Sequence, residues 1–199
     1  MKKFYLLLIV GLSSLFSLCG GENLDYSFEG QVFYFYPFSN RVRDIYGNGW
    51  ADYQIQANQT FCKRWTLWEG LSWWGTRGHS TYLHNETTMR LLSLRMGIQH
   101  QFDLNSCTQI YLGAGFNYNF LRIHDHSHYV KEHTSKNAFG GIAQTGIYYF
   151  FAKRYFADFN FEYLYQHFYF SHHEDRPHVK RTNLDLSGIK IGAGLGIQF

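Results

Sequence analysis

Proline is scarce in this sequence, with two residues among 199, and cysteine is almost as rare, with three. Because proline interrupts the hydrogen-bond ladder of a sheet, its scarcity favours a strand-rich chain. After the N-terminal segment, no stretch approaches the ~20 consecutive apolar residues that a membrane helix needs. The net charge of +3 falls to +1 without Lys2 and Lys3, which is too small to indicate a nucleic-acid partner.

The N-terminal segment has the features of an export signal. Lys2 and Lys3 precede an apolar run from Phe4 to Leu18, and small residues follow. This order is typical of a secretory signal peptide. We therefore expect residues 1–21 to be the signal peptide and residues 22–199 to form one mature domain.

Aromatic residues, in contrast, are abundant and make up 20% of the chain. They lie in stretches where apolar residues alternate with polar residues or glycine, so that the mean hydropathy is only −0.32. The last eleven residues, IKIGAGLGIQF, show this best, with apolar residues at every odd position from Ile189 to Phe199. A period of two indicates a β-strand with one apolar face.

Eight stretches with this period predict eight strands. They cover approximately residues 24–36, 50–61, 65–75, 88–102, 109–121, 139–151, 156–170 and 189–199. The connections alternate between long and short, as in an outer-membrane barrel with short periplasmic turns and long surface loops. In such a barrel the apolar face of each strand meets lipid. A soluble lipocalin-like or sandwich fold, which would bury that face, is the alternative.

The whole mature chain resembles the eight-stranded bacterial outer-membrane β-barrel superfamily that includes the OmpA transmembrane domain, OmpX and OmpW. Leu195, Ile197 and the C-terminal Phe199 resemble the signal by which such barrels are recognised for insertion. The resemblance implies an all-β, eight-stranded antiparallel up-and-down transmembrane barrel in the outer membrane of a Gram-negative-type bacterium.

The same resemblance bears on the expected partners. They are the outer-membrane lipids, the barrel-assembly machinery and an extracellular ligand or surface. We expect a monomer that binds no nucleic acid and no cofactor.

Charged residues also occur on the predicted lumen face of the strands, and these are Glu29, Asp52, Arg95, Asp158, Glu162 and Lys190. Because the interior of an eight-stranded barrel is only just wide enough for side chains to fill, we expect these charges to pair and plug the lumen, with Asp52 and Asp158 nearer the ends. A buried charge left without its partner costs roughly 3–5 kcal/mol. A plugged lumen predicts a structural or surface-interaction role through the loops. Separate charges in watery vestibules would instead favour a passive channel for small or apolar solutes.

Histidine is concentrated in the predicted long loops. His124, His126 and His128 would share one face of an extended segment. Since imidazole binds Zn, Cu and Ni, this spacing makes loop-borne metal binding a hypothesis, with a solvated polar loop as the alternative. Ser127 lies between two of these histidines, but no catalytic motif accompanies it, and we expect no enzyme.

The cysteines leave several alternatives open. Cleavage of the signal peptide after Cys19 and after Gly21 both fit, and acylation of Cys19 is a third possibility. Cys62 and Cys107 fall in predicted turns after strands two and four, which are not neighbours. Since Cα atoms more than ~7 Å apart cannot be bridged without strain, we expect free thiols or intermolecular pairing.

Tryptophan is predicted to lie at the membrane interfaces. Trp50, Trp65, Trp73 and Trp74 all occur near predicted strand ends. Aromatic rings with a polar tip are enriched at the headgroup level, where barrels carry aromatic girdles.

The C-terminal residue provides a test of the insertion signal. Deletion of Phe199, or Phe199→Ala, should lower the amount of assembled barrel in the outer membrane far more than Gln198→Ala, because only Phe199 continues the apolar face. Fractionation and immunoblotting measure this amount. Equal levels for the two positions would contradict the role given to the closing strand.

Overall fold

The computed structural model describes residues 25–62, 64–79, 86–125, 133–170 and 183–199. The elements in chain order are β1 (Asp25–Pro37), α1 (Asn40–Tyr46), β2 (Trp50–Cys62), β3 (Trp65–His79), β4 (Glu86–Asn105), β5 (Thr108–Asp125), β6 (His133–Phe150), β7 (Tyr155–Tyr169), β8 (Asn183–Asp185) and β9 (Gly188–Gln198). Among the described residues, no helix is both long and apolar enough to cross a membrane.

The strands form a closed antiparallel ring. Each strand from β1 to β7 pairs with the next, and β9 pairs with both β7 and β1. Ala193, for example, lies opposite Val32 of β1 and Phe159 of β7. The short β8 adds to β7 at the loop end, so that β8 and β9 together are the eighth barrel strand, interrupted at residues 186–187. The predicted eight-stranded antiparallel barrel is therefore confirmed.

The two faces of the strands have opposite polarity. On β1, Glu29 and Gln31 are buried, whereas Phe28 and Val32 are exposed on the outer surface. The other long strands repeat this arrangement, with residues such as Leu112 on the outside. An apolar exterior around a polar interior is the arrangement of a lipid-embedded barrel, and it contradicts the soluble alternative.

The structure differs from the prediction at the end of the barrel that carries the long connections, here called the loop end. The opposite end, with the short connections after β2, β4 and β6, is called the turn end. At the loop end β3 extends to His79 and β4 begins at Glu86. Likewise, β5 extends to Asp125 and β6 begins at His133. In these extensions the backbones of neighbouring strands stay paired, but the side chains form no apolar face. The alternation of apolar and polar residues that predicts strands is therefore absent there.

The connection between β1 and β2 contains the helix α1, which was predicted as loop. Gly47 ends the helix with φ +87°, and its N–H donates to the carbonyl of Arg43 at 2.8 Å. Positive φ is a conformation that glycine adopts without the Cβ penalty. Val42, on the inner face of the helix, is buried. The helix thereby adds an apolar side chain to the loop end of the lumen.

Apolar side chains fill the lumen at the loop end and continue down to Trp68 in the turn-end half of β3, and we call this set the aromatic cluster. Its members are Phe35, Val42, Trp50, Trp68, Trp74, Met89, Leu91, Leu121, Ile142, Leu164, Phe168 and Leu186. The ring centroid of Trp50 lies 5.1 Å from that of Phe35 and 4.8 Å from that of Trp74. The prediction that all four strand-end tryptophans are girdle residues is therefore wrong for Trp50 and Trp74, while Trp65 and Trp73 do lie on the outer surface.

Two facing glycines make room for Trp68 in the lumen. Gly97 of β4 and Gly115 of β5 lie directly opposite each other. A Cβ atom on either glycine would come within 2.5 Å of Cζ2 of the Trp68 ring. Since real Cβ atoms do not approach a ring this closely, a side chain at either position would displace Trp68 from the cluster.

Gly115→Ala should therefore lower the free energy of unfolding by about 1–3 kcal/mol, the usual cost of overpacking. Its matched control is Gly30→Ala, because a Cβ at Gly30 meets no atom within 4 Å. That change should stay within about 0.5 kcal/mol of the wild type. Urea titration of the refolded barrel in detergent measures both values. Equal effects would contradict the packing described for Trp68.

Candidate functional site in the lumen

Four of the six predicted lumen charges form one network across the middle of the barrel. The Arg95 guanidinium bonds to Glu162 and to the side-chain oxygen of Gln54. Lys190 Nζ lies 2.6 Å from Asp52 Oδ2 and 3.2 Å from Glu162 Oε1. These four charged side chains, which we call the ion-pair network, are buried and come from β2, β4, β7 and β9. Two cations therefore face two carboxylates.

Neighbouring side chains hold this network in place. Ser72 Oγ donates to both carboxylate oxygens of Asp52, at 2.7 and 3.0 Å. The Arg95 guanidinium carbon lies 5.6 Å from the centroid of the Trp68 ring, where a cation is attracted by the ring face. The ion-pair network thus contacts Trp68, the member of the aromatic cluster that lies opposite Asn58 in the turn-end half of β3.

Glu29 and Asp158 lie apart from this network, nearer the turn end. The groups that donate to these two carboxylates are all neutral: Gln56 (2.9 Å), Asn58 (2.9 Å) and Tyr148 (3.5 Å) to Glu29, and Gln31 (2.8 Å) and Tyr111 (3.0 and 3.2 Å) to Asp158. The sequence placed all six charges in one network, and for these two residues the structure corrects that expectation. The reason is depth, because Asp158 lies two lumen-facing positions below Glu162 on β7.

The lumen is therefore layered along its axis. Most of the aromatic cluster occupies the loop end, and Trp68 extends it down past the ion-pair network, which lies in the middle. The two remaining carboxylates with their amide and phenol donors occupy the lower part. Below them a cavity of about 120 Å³ opens at the turn end. Its polar lining includes Asn58 and Tyr148, which also bond to Glu29.

The aromatic cluster is the part of the lumen that sequence reasoning missed. Met89 and Leu91 occupy lumen positions of β4, in phase with Arg95. The available signal was a run with apolar residues on both faces near the loop end of a strand, as at Phe33 and Phe35 of β1.

The histidines and cysteines lie away from the lumen charges. His124 of β5 faces His133 of β6, with 2.9 Å between their Nδ1 atoms. His126 and His128 lie outside the described residues, so metal binding by the three predicted histidines stays a prediction. In the described ranges, no group of three His, Cys, Asp or Glu side chains is arranged to hold a metal. Cys62 and Cys107 are exposed free thiols.

The closing seam presents the predicted insertion residues on the outside. Leu195 and Phe199 are exposed, and Ile197 lies between Phe28 and Tyr155 of the neighbouring strands. The Phe199 N–H donates to the carbonyl of Tyr26 at 2.8 Å, which holds the C-terminus against β1. Their recognition during insertion stays a prediction.

No protein-family model and no curated protein matches the sequence. Solved structures do match. The outer membrane protein OprG from Pseudomonas aeruginosa superposes with a TM-score of 0.66 at 14% identity, covering 91% of this chain and 98% of OprG. Neisserial surface protein A gives 0.61 at 15% identity, covering 87% and 97%. Outer Membrane Protein W of E. coli gives 0.54 at 12% identity, covering 90% and 100%. The chain therefore has the fold of the eight-stranded outer-membrane β-barrels.

Proposed function

We propose that this protein is an outer-membrane barrel with a closed lumen, acting in a structural or surface-interaction role through its loop end. The apolar exterior and the names of the similar structures support the location. The signal peptide predicted at residues 1–21 lies outside the described residues and stays a prediction. Its partners would be outer-membrane lipids, the assembly machinery that inserts barrels, and a ligand or surface outside the cell. We infer no catalytic role and expect a monomer.

The observation that carries the closed lumen is the ion-pair network. Arg95 and Lys190 reach across the interior to carboxylates on other strands, and all of these side chains are buried. Moving such charges apart to admit a solute would leave buried charges without partners, at a cost of roughly 3–5 kcal/mol. The aromatic cluster adds a second, apolar obstruction on the loop side. A passive channel would have to open both layers.

A closed lumen moves the function to the surfaces. The outer apolar surface meets lipid, with Trp65 near the turn end and Trp73 toward the loop end, where indole rings suit the headgroup region. β3 to β6 extend the barrel at the loop end with paired strand segments whose side chains are mostly polar. This extension carries paired strands up to the starts of the long loops.

The wild-type barrel should show no stable conductance in planar lipid bilayers, because the two layers block the lumen. Replacing Arg95, Lys190, Trp50 and Trp74 together by alanine should produce stable conductance steps. Heat-modifiable migration on gels controls for folding of the variant. A stable open conductance in the wild type, unchanged by Arg95→Ala, would contradict the plug and favour the channel.

Breaking the network on one side should destabilise the barrel more than removing a matched pair. Arg95→Met leaves Glu162 short of a cation and should lower the free energy of unfolding by about 3–5 kcal/mol. The double variant Arg95→Met/Glu162→Gln keeps Lys190 paired with Asp52 and should recover most of the loss. Urea titration in detergent measures both.

Arg90→Met is the control for that series, because Arg90 is exposed on the outer side of the same strand. It should change the free energy of unfolding by no more than about 0.5 kcal/mol. A double variant as unstable as Arg95→Met alone would show that the ion pair does not account for the loss.

A further inference from the structure

The buried charges of the lumen do not balance. Among the described residues four carboxylates are buried, Glu29, Asp52, Asp158 and Glu162, against two cations, Arg95 and Lys190. The ion-pair network uses both cations for Asp52 and Glu162. Two carboxylates, Glu29 and Asp158, therefore remain without a cation. A buried charge is tolerated when it is paired or when it coordinates a metal ion.

The two remaining carboxylates share one compartment. Asp158 lies opposite Gly194 of β9, and Gln31 of β1 lies opposite the same glycine on the other side. Because Gly194 has no side chain, Gln31 reaches over it and donates to Asp158 at 2.8 Å. Glu29 lies two residues before Gln31, on the same face of β1. The glycine of the closing strand thus brings the two carboxylates to one amide.

Several oxygens in this compartment receive no hydrogen bond from the described residues. They are Glu29 Oε2, Gln31 Oε1 and Asn160 Oδ1. The residues that carry them are almost fully buried, with exposed fractions of 1%, 3% and 4%. Donors are used up on the other atoms: Glu29 Oε1 alone accepts from Gln56 and Asn58 at 2.9 Å each. An excess of acceptors over donors is an arrangement that suits a cation, since a buried acceptor left without a partner costs free energy.

We propose that this compartment, defined by Glu29, Gln31, Asp158 and Asn160, binds a calcium ion. Carboxylate and amide oxygens are the ligands that calcium prefers, and calcium takes six to eight of them in flexible geometry. Its double charge matches that of the two carboxylates, in their ionised form, that Arg95 and Lys190 leave without a cation. Magnesium fits less well, because it demands near-ideal octahedral geometry and dehydrates reluctantly.

The cavity at the turn end supplies a route and additional ligands. Its volume of about 120 Å³ holds several water molecules, which complete a calcium shell that the protein fills only in part. Asn58 and Tyr148 line this cavity and also bond to Glu29. Asp25 lies at the same opening and would attract cations towards it. The ion would therefore enter from the turn end and stop below the ion-pair network.

The test uses the mature barrel, refolded in uncharged detergent so that no lipid phosphate binds calcium. Equilibrium dialysis should find one calcium ion per barrel. The temperature at which the folded band disappears on gels should be about 5–10 °C higher in calcium than in chelator. The calcium concentration for this comparison is about a hundred times the dissociation constant for calcium. Magnesium, and sodium at matched ionic strength, should raise it much less.

Glu29→Gln and Asp158→Asn remove one charge each without changing the size of the side chain. Each should weaken calcium binding at least tenfold. In chelator each variant should unfold at a temperature no lower than the wild type, because a buried carboxyl without a cation has been replaced by a neutral amide, and in calcium the wild type should be the more stable. Asp103→Asn, at an exposed carboxylate bonded to Gln109, is the control and should behave as the wild type.

Failure of dialysis to detect bound calcium in the wild type would overturn the proposal, and so would an equal shift with magnesium. If neither variant folds, the wild-type measurements alone decide. None of these results depends on whether the barrel conducts, so the proposal stands or falls separately from the closed lumen.

Discussion

Closure of the hydrogen-bonded ring at β9 is the constraint on which the rest of the structure depends. Within a bilayer no water satisfies backbone N–H and C=O groups, so a spanning sheet must leave no open edge. β9 pairs with β1 on one side and with β7 on the other, and this double pairing fixes the strand number. Its lumen face carries Gly192, Gly194 and Gly196.

Those glycines determine how the lumen is filled. A Cβ on Gly192 would come within 2.6 Å of the Phe33 ring, and one on Gly196 within 2.2 Å of the Phe156 ring. Side chains of the neighbouring strands thus occupy the volume that side chains on β9 would otherwise fill. The same exchange seats Trp68 over Gly97 and Gly115. A narrow ring can then enclose aromatic rings and long charged side chains.

Much of the fold was predictable because lipid imposes a simple rule on every strand. Along β5 the outer face meets apolar surroundings and the inner face meets a polar lumen, with Leu112 outside and Asn117 inside. There the alternation of apolar and polar residues alone predicted the strand and the direction of its side chains. The rule fails at the loop end, where no lipid demands an apolar face. There the extensions of the strands and the helix α1 were missed.

The lumen was predictable in content but less so in arrangement. Alternation placed Arg95, Glu162 and Lys190 inside, yet it carries no information on depth, so it could not separate Glu29 and Asp158 from them. Trp50 and Trp74 were misplaced for a related reason, since an aromatic residue at a strand end suits both a girdle and an apolar cluster. Register between strands, which sequence alone does not give, decides each of these cases.

The most direct measurement of the central claim is spin-label accessibility along β5 in lipid bilayers. Single cysteines at positions 111, 112, 114 and 116 to 120, in a background with Cys62 and Cys107 replaced by serine, report the surroundings of each side chain. Gly113 and Gly115 are left out, because a side chain at either position would clash inside the lumen. The account predicts access of oxygen at the even positions and access of neither oxygen nor a water-soluble relaxation agent at the odd ones. Access of the water-soluble agent at the odd positions would show a watery lumen, and shielding of the even positions would contradict the lipid-facing barrel itself.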